Sequence, residues 1–144
     1  MSNCISKIGN HVYVNGGADA VKLYKKAFKL DETNGAWLDG DGYIIHQQLE
    51  RNGELFLSVS EDRHLPYEFS NKCPDGTRSV MLFCVYFQNE DDFNSAFGLL
   101  NEGSETVAKP RPEGNDIICD VRDRFGVFWH LRVPKNWNAQ FIPR

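Results

Sequence analysis

The chain contains one pattern twice, at an offset of 73 residues, the distance from His11 to Cys84. A unit this long exceeds the roughly 20–50-residue period of solenoid repeats. The sequence therefore predicts one pseudo-symmetric domain made of two supersecondary modules, with no gap between the first and the last matched pair. The matched pairs are His11–Val14 with Cys84–Phe87, Glu32-Thr33 with Glu105-Thr106, Ile44-Ile45 with Ile117-Ile118, and Arg51 and Gly53 with Arg124 and Gly126.

Length and charge exclude several classes of function. A chain of 144 residues can bury one real core. Its net charge is −4 and its Lys and Arg are scattered, so neither nucleic acid nor an anionic membrane surface is an expected partner. The chain has no apolar run of about 18 residues and no signal-peptide core near Met1, so we expect a cytoplasmic protein.

The four cysteines are spaced too widely for a metal or redox motif. They are Cys4, Cys73, Cys84 and Cys119, and none forms a CxxC pair. We expect them to be reduced, buried thiols.

The first module, about residues 8–61, reads as strand, helix, strand, strand, strand. A short strand, Asn10 to Val14, precedes Asn15-Gly16-Gly17 and a helix from about Ala18 to Leu30, with Ala20, Tyr24 and Ala27 on one face. Strands follow near 33–38, 43–50 and 54–60. The hairpin turns between them are predicted at Asp39-Gly40-Asp41-Gly42 and Arg51-Asn52-Gly53.

The second module, about residues 79–134, repeats this order after a linker at about 62–78. The apolar run Val80 to Phe87 predicts a fully buried strand, and Asn89 predicts a helix N-cap. Later strands are expected at 106–108, 116–122 and 127–133, with 109–115 as a loop and 135–144 as a tail. We therefore predict an α+β fold: a single domain, 1–144, whose two βαβββ modules form a curved mixed sheet around a central cleft.

Three motifs resemble the vicinal oxygen chelate superfamily of glyoxalases, bleomycin-resistance proteins and dioxygenases, and within it the PhnB-like branch. They are Leu23–Phe28 on the helix, Tyr43–Leu49 on a strand, and Asp123–Trp129 before the last strand. The resemblance covers residues 9–134. It implies paired βαβββ modules, usually in a homodimer, but no single activity.

The resemblance also implies where a divalent metal would be held in the enzymes of this superfamily. Those four positions fall on Gly9, Leu57, Leu82 and His130, and only His130 can coordinate a metal. We therefore expect no metal cofactor at the usual site. A relocated set of His11, Cys84 and His130, suited to zinc, stays open as an alternative.

Strand alternation selects the residues expected to line the cleft, since side chains two apart share a face. His130 and His11 are the candidate catalytic residues, because imidazole exchanges a proton near neutral pH. Arg132 could hold an anionic group. His46 is expected to hydrogen-bond within the sheet or at a dimer contact, and His64 to be exposed. The expected ligand-binding residues are Tyr13, Leu57, Cys84, Tyr86, Phe128, His130 and Arg132, with Leu55 and Val59 beside Leu57.

An apolar, aromatic lining with few polar groups is typical of small-molecule pockets. The first hypothesis is therefore a glyoxalase-like, PhnB-like protein that binds an unknown small molecule between its modules without a metal. The alternative is a lyase, isomerase or dioxygenase that uses a metal or His130 with His11. A structural dimer with a filled cleft is a third possibility. The sequence does not distinguish an enzyme from a binding protein.

Overall fold

The computed structural model describes residues 4–66 and 81–135, which belong to two compact units, Met1–Lys72 and Cys73–Arg144. Cys73, most of the expected linker and nearly all of the expected tail lie outside the described residues. The single domain that we expect from the sequence stays a prediction.

The two units have the same order of elements and the same sheet topology. In the first, β1 pairs parallel to β4, the other neighbours are antiparallel, and the strand order is β1-β4-β3-β2. In the second, the order is β5-β8-β7-β6 with the same directions. The predicted pair of βαβββ modules is confirmed. The elements are β1 His11–Val14, α1 Gly17–Phe28, β2 Asp31–Leu38, β3 Ile44–Arg51, β4 Glu54–Glu61, a 3-10 helix Asp62–His64, β5 Phe83–Tyr86, α2 Glu90–Asn101, β6 Thr106–Glu113, β7 Asp116–Arg122 and β8 Phe128–Pro134.

Each sheet packs one face against its own helix, and the opposite face is called the helix-free face below. α1 lies against β1, β3 and β4, and α2 lies against β7 and β8. The helix-facing side of each sheet is apolar. Burial of this apolar surface between helix and sheet is the main force that stabilises each unit. Buried residues on the helix sides are Val12, Val14, Ala20, Tyr24, Ala27, Leu49, Leu57 and Val59 in the first unit and Phe93, Ala96, Leu100, Cys119, Val121, Trp129, Leu131 and Val133 in the second.

The two helices begin in different ways. At α1 the buried Glu61, the last residue of β4, accepts hydrogen bonds from the backbone N–H groups of Gly16 (2.7 Å) and Gly17 (2.8 Å). A Cβ on Gly17 would lie only 3.2 Å from a carboxylate oxygen of Glu61, so any larger residue would crowd this cap. At α2 the predicted cap is confirmed, since Asn89 accepts from the N–H of Asp92 at 2.9 Å.

Two strand predictions are wrong. β6 extends through Pro110 and Pro112, where we expected a loop, because β6 is the edge strand and an edge tolerates a missing N–H. The predicted fully buried strand over 80–87 is a shorter edge strand, Phe83–Tyr86, in which Cys84 and Tyr86 are exposed. No helix of the described part of the chain covers one face of β5, so its apolar residues are not all buried.

The internal repeat contains a one-residue shift that the sequence does not reveal. Trp37 pairs with His46 but Leu38 pairs with Ile44, so Ile45 is an extra residue, a β-bulge, in β3. His11 pairs with Ser58, whereas its repeat partner Cys84 pairs with His130. The structural equivalent of His130 is therefore Ser58, and the expected gap-free correspondence with Leu57 is wrong.

The motif Asp123–Trp129 has a structural role in the β7–β8 turn. Asp123 is fully buried; its Oδ1 accepts from the N–H groups of Phe125 (2.9 Å) and Val127 (3.0 Å), and its Oδ2 accepts from the indole N–H of Trp129 (2.9 Å). Gly126 has a positive φ of 86°, which a glycine adopts without strain. One carboxylate therefore ties the turn to the core.

No helix among the described residues is long and apolar enough to span a membrane.

Replacing Asp123 by Ala should destabilise the protein strongly, because three N–H donors in and beside the core lose their acceptor. We expect a loss of about 3 kcal/mol in the free energy of unfolding, measured by urea denaturation. The control is Asp91→Ala on the exposed first turn of α2, which should cost less than about 1 kcal/mol. Equal losses in the two variants would contradict this role of Asp123.

Candidate functional site

The helix-free face of the second unit carries a row of polar side chains on three neighbouring strands. Cys84 on β5 pairs with His130 on β8, and His130 pairs with Asp120 on β7. Paired residues point to the same side of a sheet. The neighbouring row contains Tyr86 beside Arg132. Five of the residues that we predicted to bind the ligand therefore lie on one face of this sheet: Cys84, Tyr86, Phe128, His130 and Arg132.

Asp120, which we did not predict, orients His130. The Nδ1 atom of His130 lies 2.7 Å from Oδ1 of Asp120, and Oδ2 of Asp120 accepts from Arg111 at 2.8 Å. Partial burial would raise the pKa of Asp120, but the hydrogen bonds from Arg111 and His130 outweigh burial and lower it. A carboxylate accepts only, so Nδ1 of His130 carries the proton, and in the neutral form of the ring Nε2 is the acceptor.

Arg132 is held by two carboxylates. Its Nε donates to Asp116 at 2.6 Å and its Nη2 donates to Glu113 at 2.8 Å, while Nη1 lies 3.5 Å from Nε2 of His130. The hydrogen bonds that Arg132 donates to Glu113 and Asp116 raise its pKa above the usual value. Because these carboxylates neutralise it, Arg132 is better suited to positioning its neighbours than to holding the anionic group that we expected.

The helix-free face of the first unit is aromatic and lacks an equivalent Asp–His pair. Ser60 donates its only hydroxyl proton to the carbonyl of Ile45 at 2.6 Å, so Nε2 of His11, 2.7 Å from Ser60, must be the donor. The His11 ring stacks on Tyr13 at 4.5 Å and meets His46 edge-on at 5.4 Å. In this unit the paired residues Gln48 and Ser58 occupy the positions of Asp120 and His130.

Leu57 is not on this face, contrary to our expectation. It pairs with Leu49, is 1% exposed, and lies on the helix side with Val59. The bulge at Ile45 causes the error, because a shift of one residue moves a side chain to the other face of the sheet. Leu57 and Val59 therefore belong to the core, whereas Tyr13 and His11 are on the helix-free face.

The cysteines are less uniformly buried than we expected. Cys119 is fully buried, and burial, followed by the neighbouring charge of Asp120, raises the pKa of its thiol to about 12. Cys4 and Cys84 are exposed. Cys119 is therefore an inert core residue, while Cys84 can be reached by small molecules.

A second Asp–His pair lies in the first unit, where the sequence predicted an exposed His64. Nε2 of His64, half-buried, lies 2.8 Å from Oδ2 of Asp39, and Arg63 stacks over the ring of Tyr43 at 4.3 Å. Partial desolvation opposes ionisation of Asp39, but hydrogen bonds from the N–H groups of Tyr43 and Asp41 and from His64, together with the charge of Arg63, lower its pKa to about 2. This cluster fastens the 3-10 helix to the β2–β3 turn, which is a structural role.

A pocket of about 260 Å³ lies beside the N-terminus of α1, between Asp19, Tyr43 and Glu61. Both carboxylate oxygens of Glu61 are already engaged by Gly16 and Gly17. Glu61 is therefore occupied as the cap of the helix and is poorly placed to bind a ligand in this pocket. The ligand was expected between the two modules, which is a different place.

The donor set does not fit the metal site implied by the resemblance. Gly9 and Leu82 have no coordinating side chain, Leu57 is apolar and on the helix side, and of the four only His130 has a side chain that can bind a metal. Among residues 4–66 and 81–135 no group of three or more His, Cys, Asp or Glu side chains is arranged to hold an ion. Of the relocated set, Cys84 and His130 are neighbours in the second unit while His11 belongs to the first, so that set stays a prediction.

Stability should fall in acid partly because of His11. Although the residue is exposed as a whole, burial of its ring and the neighbouring His46 lower its pKa, so the unfolded chain binds more protons. The contribution of His11 is present above about pH 6.5 and is lost as the pH falls toward its lower folded pKa. The loss in unfolding free energy between pH 7.5 and pH 5.5 should therefore be smaller in His11→Gln than in the wild type. Identical losses would contradict this.

Elemental analysis of the purified, untagged protein should find no divalent metal in a near-stoichiometric amount, because three of the four expected positions lack a ligand. A stoichiometric metal that disappears in His130→Ala would show instead that a relocated site exists.

Comparison with known proteins identifies the fold. No protein-family model and no curated protein sequence matches the chain. Solved structures do match. A putative 3-demethylubiquinone-9 3-methyltransferase, the PhnB protein of Bacillus cereus, has a TM-score of 0.64 and 17% identity, over 89% of this chain and 99% of that one.

Two other solved structures have the same fold. A glyoxalase/bleomycin resistance protein/dioxygenase family enzyme of Burkholderia phytofirmans has a TM-score of 0.62 and 11% identity, over 87% of this chain and 95% of that one. The fosfomycin resistance protein FosX of Listeria monocytogenes, complexed with manganese(II) and 1S,2S-dihydroxypropylphosphonic acid, has a TM-score of 0.57 and 13% identity, over 92% and 93%. The resemblance predicted from the three motifs is thus confirmed, and the chain has the fold of the vicinal oxygen chelate superfamily.

Proposed function

We propose that the chain binds a small aromatic or amphipathic molecule on the helix-free face of the second unit. His130 would accept a hydrogen bond at Nε2 from a hydroxyl or N–H group of that molecule. The observation that carries the proposal is the 2.7 Å contact between Asp120 and Nδ1 of His130, which makes Nε2 the acceptor of the neutral ring. Nη1 of Arg132 approaches Nε2 only at the long distance of 3.5 Å, so a closer donor on a ligand could compete with it.

The surroundings of His130 support a ligand that is neutral and partly apolar. Tyr86, 71% exposed, and the half-buried Phe128 offer ring surface on the same face. The three carboxylates of Glu113, Asp116 and Asp120 outnumber the guanidinium groups of Arg111 and Arg132 in the network. A few polar groups within apolar surface are typical of small-molecule sites, and this charge balance disfavours an anion.

Phenol and methoxybenzene test the proposal, because they present the same ring with and without a hydroxyl donor. Phenol should produce a saturable shift of the His130 ring resonances in NMR, and methoxybenzene should bind at least about fivefold more weakly, since it lacks one hydrogen bond. His130→Gln should weaken the binding of phenol by a similar factor. The matched control is His64→Gln, which alters the other Asp–His pair.

The result that contradicts the proposal is equal binding of both probes, or binding of phenol that His130→Gln leaves unchanged. Absence of any saturable shift up to the solubility limit of phenol would also contradict it.

A His-assisted isomerase or lyase is the second candidate, favoured by the same Asp120–His130 contact. An imidazole held by a carboxylate can remove a proton from a bound substrate at Nε2. The two candidates differ in their response to His130→Gln: a binding protein loses affinity by a few-fold, whereas an enzyme loses turnover by about a hundredfold or more.

The wider expectations from the sequence stay predictions. They are a ligand site between the two modules, with His11 and Tyr13 as part of it, binding without a divalent metal, a homodimer, and a cytoplasmic location.

A further inference from the structure

Arg132 has one guanidinium nitrogen without a short hydrogen bond to any of residues 4–66 and 81–135. Its Nε donates to Asp116 at 2.6 Å and its Nη2 donates to Glu113 at 2.8 Å, whereas Nη1 reaches only Nε2 of His130, at 3.5 Å. A contact of this length is weak, because N–H donors prefer a partner at about 2.9 Å. The N–H groups of Nη1 therefore remain able to donate to a ligand.

His130 places an acceptor beside that donor. Its Nδ1 lies 2.7 Å from Asp120, which makes Nε2 the acceptor of the neutral ring. His130 and Arg132 are two residues apart on β8, so both are on the helix-free face, and their side chains are 17% and 22% exposed. A ligand on this face therefore meets an acceptor and a donor side by side.

A planar carboxamide carries the complementary pair of groups. Its N–H can donate to Nε2 of His130 while its carbonyl oxygen accepts from Nη1 of Arg132, so two short hydrogen bonds replace one weak contact. Asparagine and glutamine side chains read the adjacent acceptor and donor of adenine in this way. A hydroxyl group would have to serve both protein groups from one oxygen atom, whereas a carboxamide uses two atoms.

The charges on Arg132 favour a carboxamide over a carboxylate. Arg132 is already paired with the carboxylates of Glu113 and Asp116. A ligand carboxylate accepts at both oxygens, so one of them would face the acceptor Nε2 of His130 without a proton between them. The pair of side chains therefore matches a neutral group better than an anion.

We propose that His130 and Arg132 together recognise a neutral primary or cyclic carboxamide that is attached to, or part of, an aromatic ring. The N–H of the carboxamide binds at Nε2 of His130 and its C=O binds at Nη1 of Arg132. Tyr86, the strand partner of Arg132, and Phe128 supply ring surface on the same face. The inference rests on the proposed function and names the chemical class of its ligand.

Benzamide, acetophenone and benzoate test this inference, because they have the same ring and nearly the same shape. A methyl group replaces the NH₂ of benzamide in acetophenone, and a charged oxygen replaces it in benzoate. Benzamide should bind at least about fivefold more tightly than either, measured from saturable shifts of the His130 ring resonances in NMR. Phenol, titrated in parallel, tests the ligand site itself.

Variants then assign the roles, with folding checked by circular dichroism. Arg132→Lys removes the planar fork, so it should weaken the binding of benzamide at least about threefold more than the binding of phenol. Glu113→Gln removes one of the two charges that neutralise Arg132, and it should narrow the preference for benzamide over benzoate by about twofold. The matched control is Glu32→Gln, which alters a surface ion pair with Lys25 in the first unit and should leave that preference unchanged.

The inference is wrong if phenol shifts the His130 resonances while benzamide binds no more tightly than acetophenone, or no more tightly than benzoate. An equal effect of Arg132→Lys on benzamide and phenol would also overturn it. In each of these cases the proposed function stands. If phenol does not bind either, the proposed function fails and this inference fails with it.

Discussion

Within residues 4–66 and 81–135, each four-stranded sheet has a single helix packed on one of its faces, and the rest of the described structure depends on this constraint. Burial of apolar surface between α1 and its sheet, and between α2 and its sheet, assigns alternate side chains to a core. The remaining side chains are left on the helix-free faces. His11, Tyr13, Cys84 and His130 are there because their neighbours in the chain, Val12, Val85, Trp129 and Leu131 among them, turn toward the helices.

The two units carry different side chains on their helix-free faces. The first carries a neutral face in which His11 stacks on Tyr13 and donates to Ser60. The second carries a charged network that runs from Arg111 through Asp120 to His130 and ends at Arg132 and its two carboxylates. The positions of Asp120 and His130 are occupied by Gln48 and Ser58 in the first unit. The two units therefore share one architecture, while their helix-free faces carry different chemistry.

Other acidic residues have structural roles that could be mistaken for catalytic ones. Glu61 caps α1, Asp123 ties the β7–β8 turn to Trp129, and Asp39 holds His64 at the β2–β3 turn. In each of the three, the carboxylate accepts hydrogen bonds from backbone or side-chain donors beside it. Asp120 differs because the histidine that it orients points across a helix-free face rather than into a turn.

The sequence by itself determined the two βαβββ modules, the Asn89 cap and most strand limits, because hydrophobic periodicity and turn residues act locally. It also placed Cys84, His130 and Arg132 on the same face of neighbouring strands. It could not reveal that Asp120 orients His130, that Glu113 and Asp116 neutralise Arg132, or that Leu57 faces the core. Those facts depend on how strands pair, and the bulge at Ile45 changes that pairing by one residue without any mark in the sequence. Only the tertiary structure decided them, since strand register is set by hydrogen bonds between segments far apart in the chain.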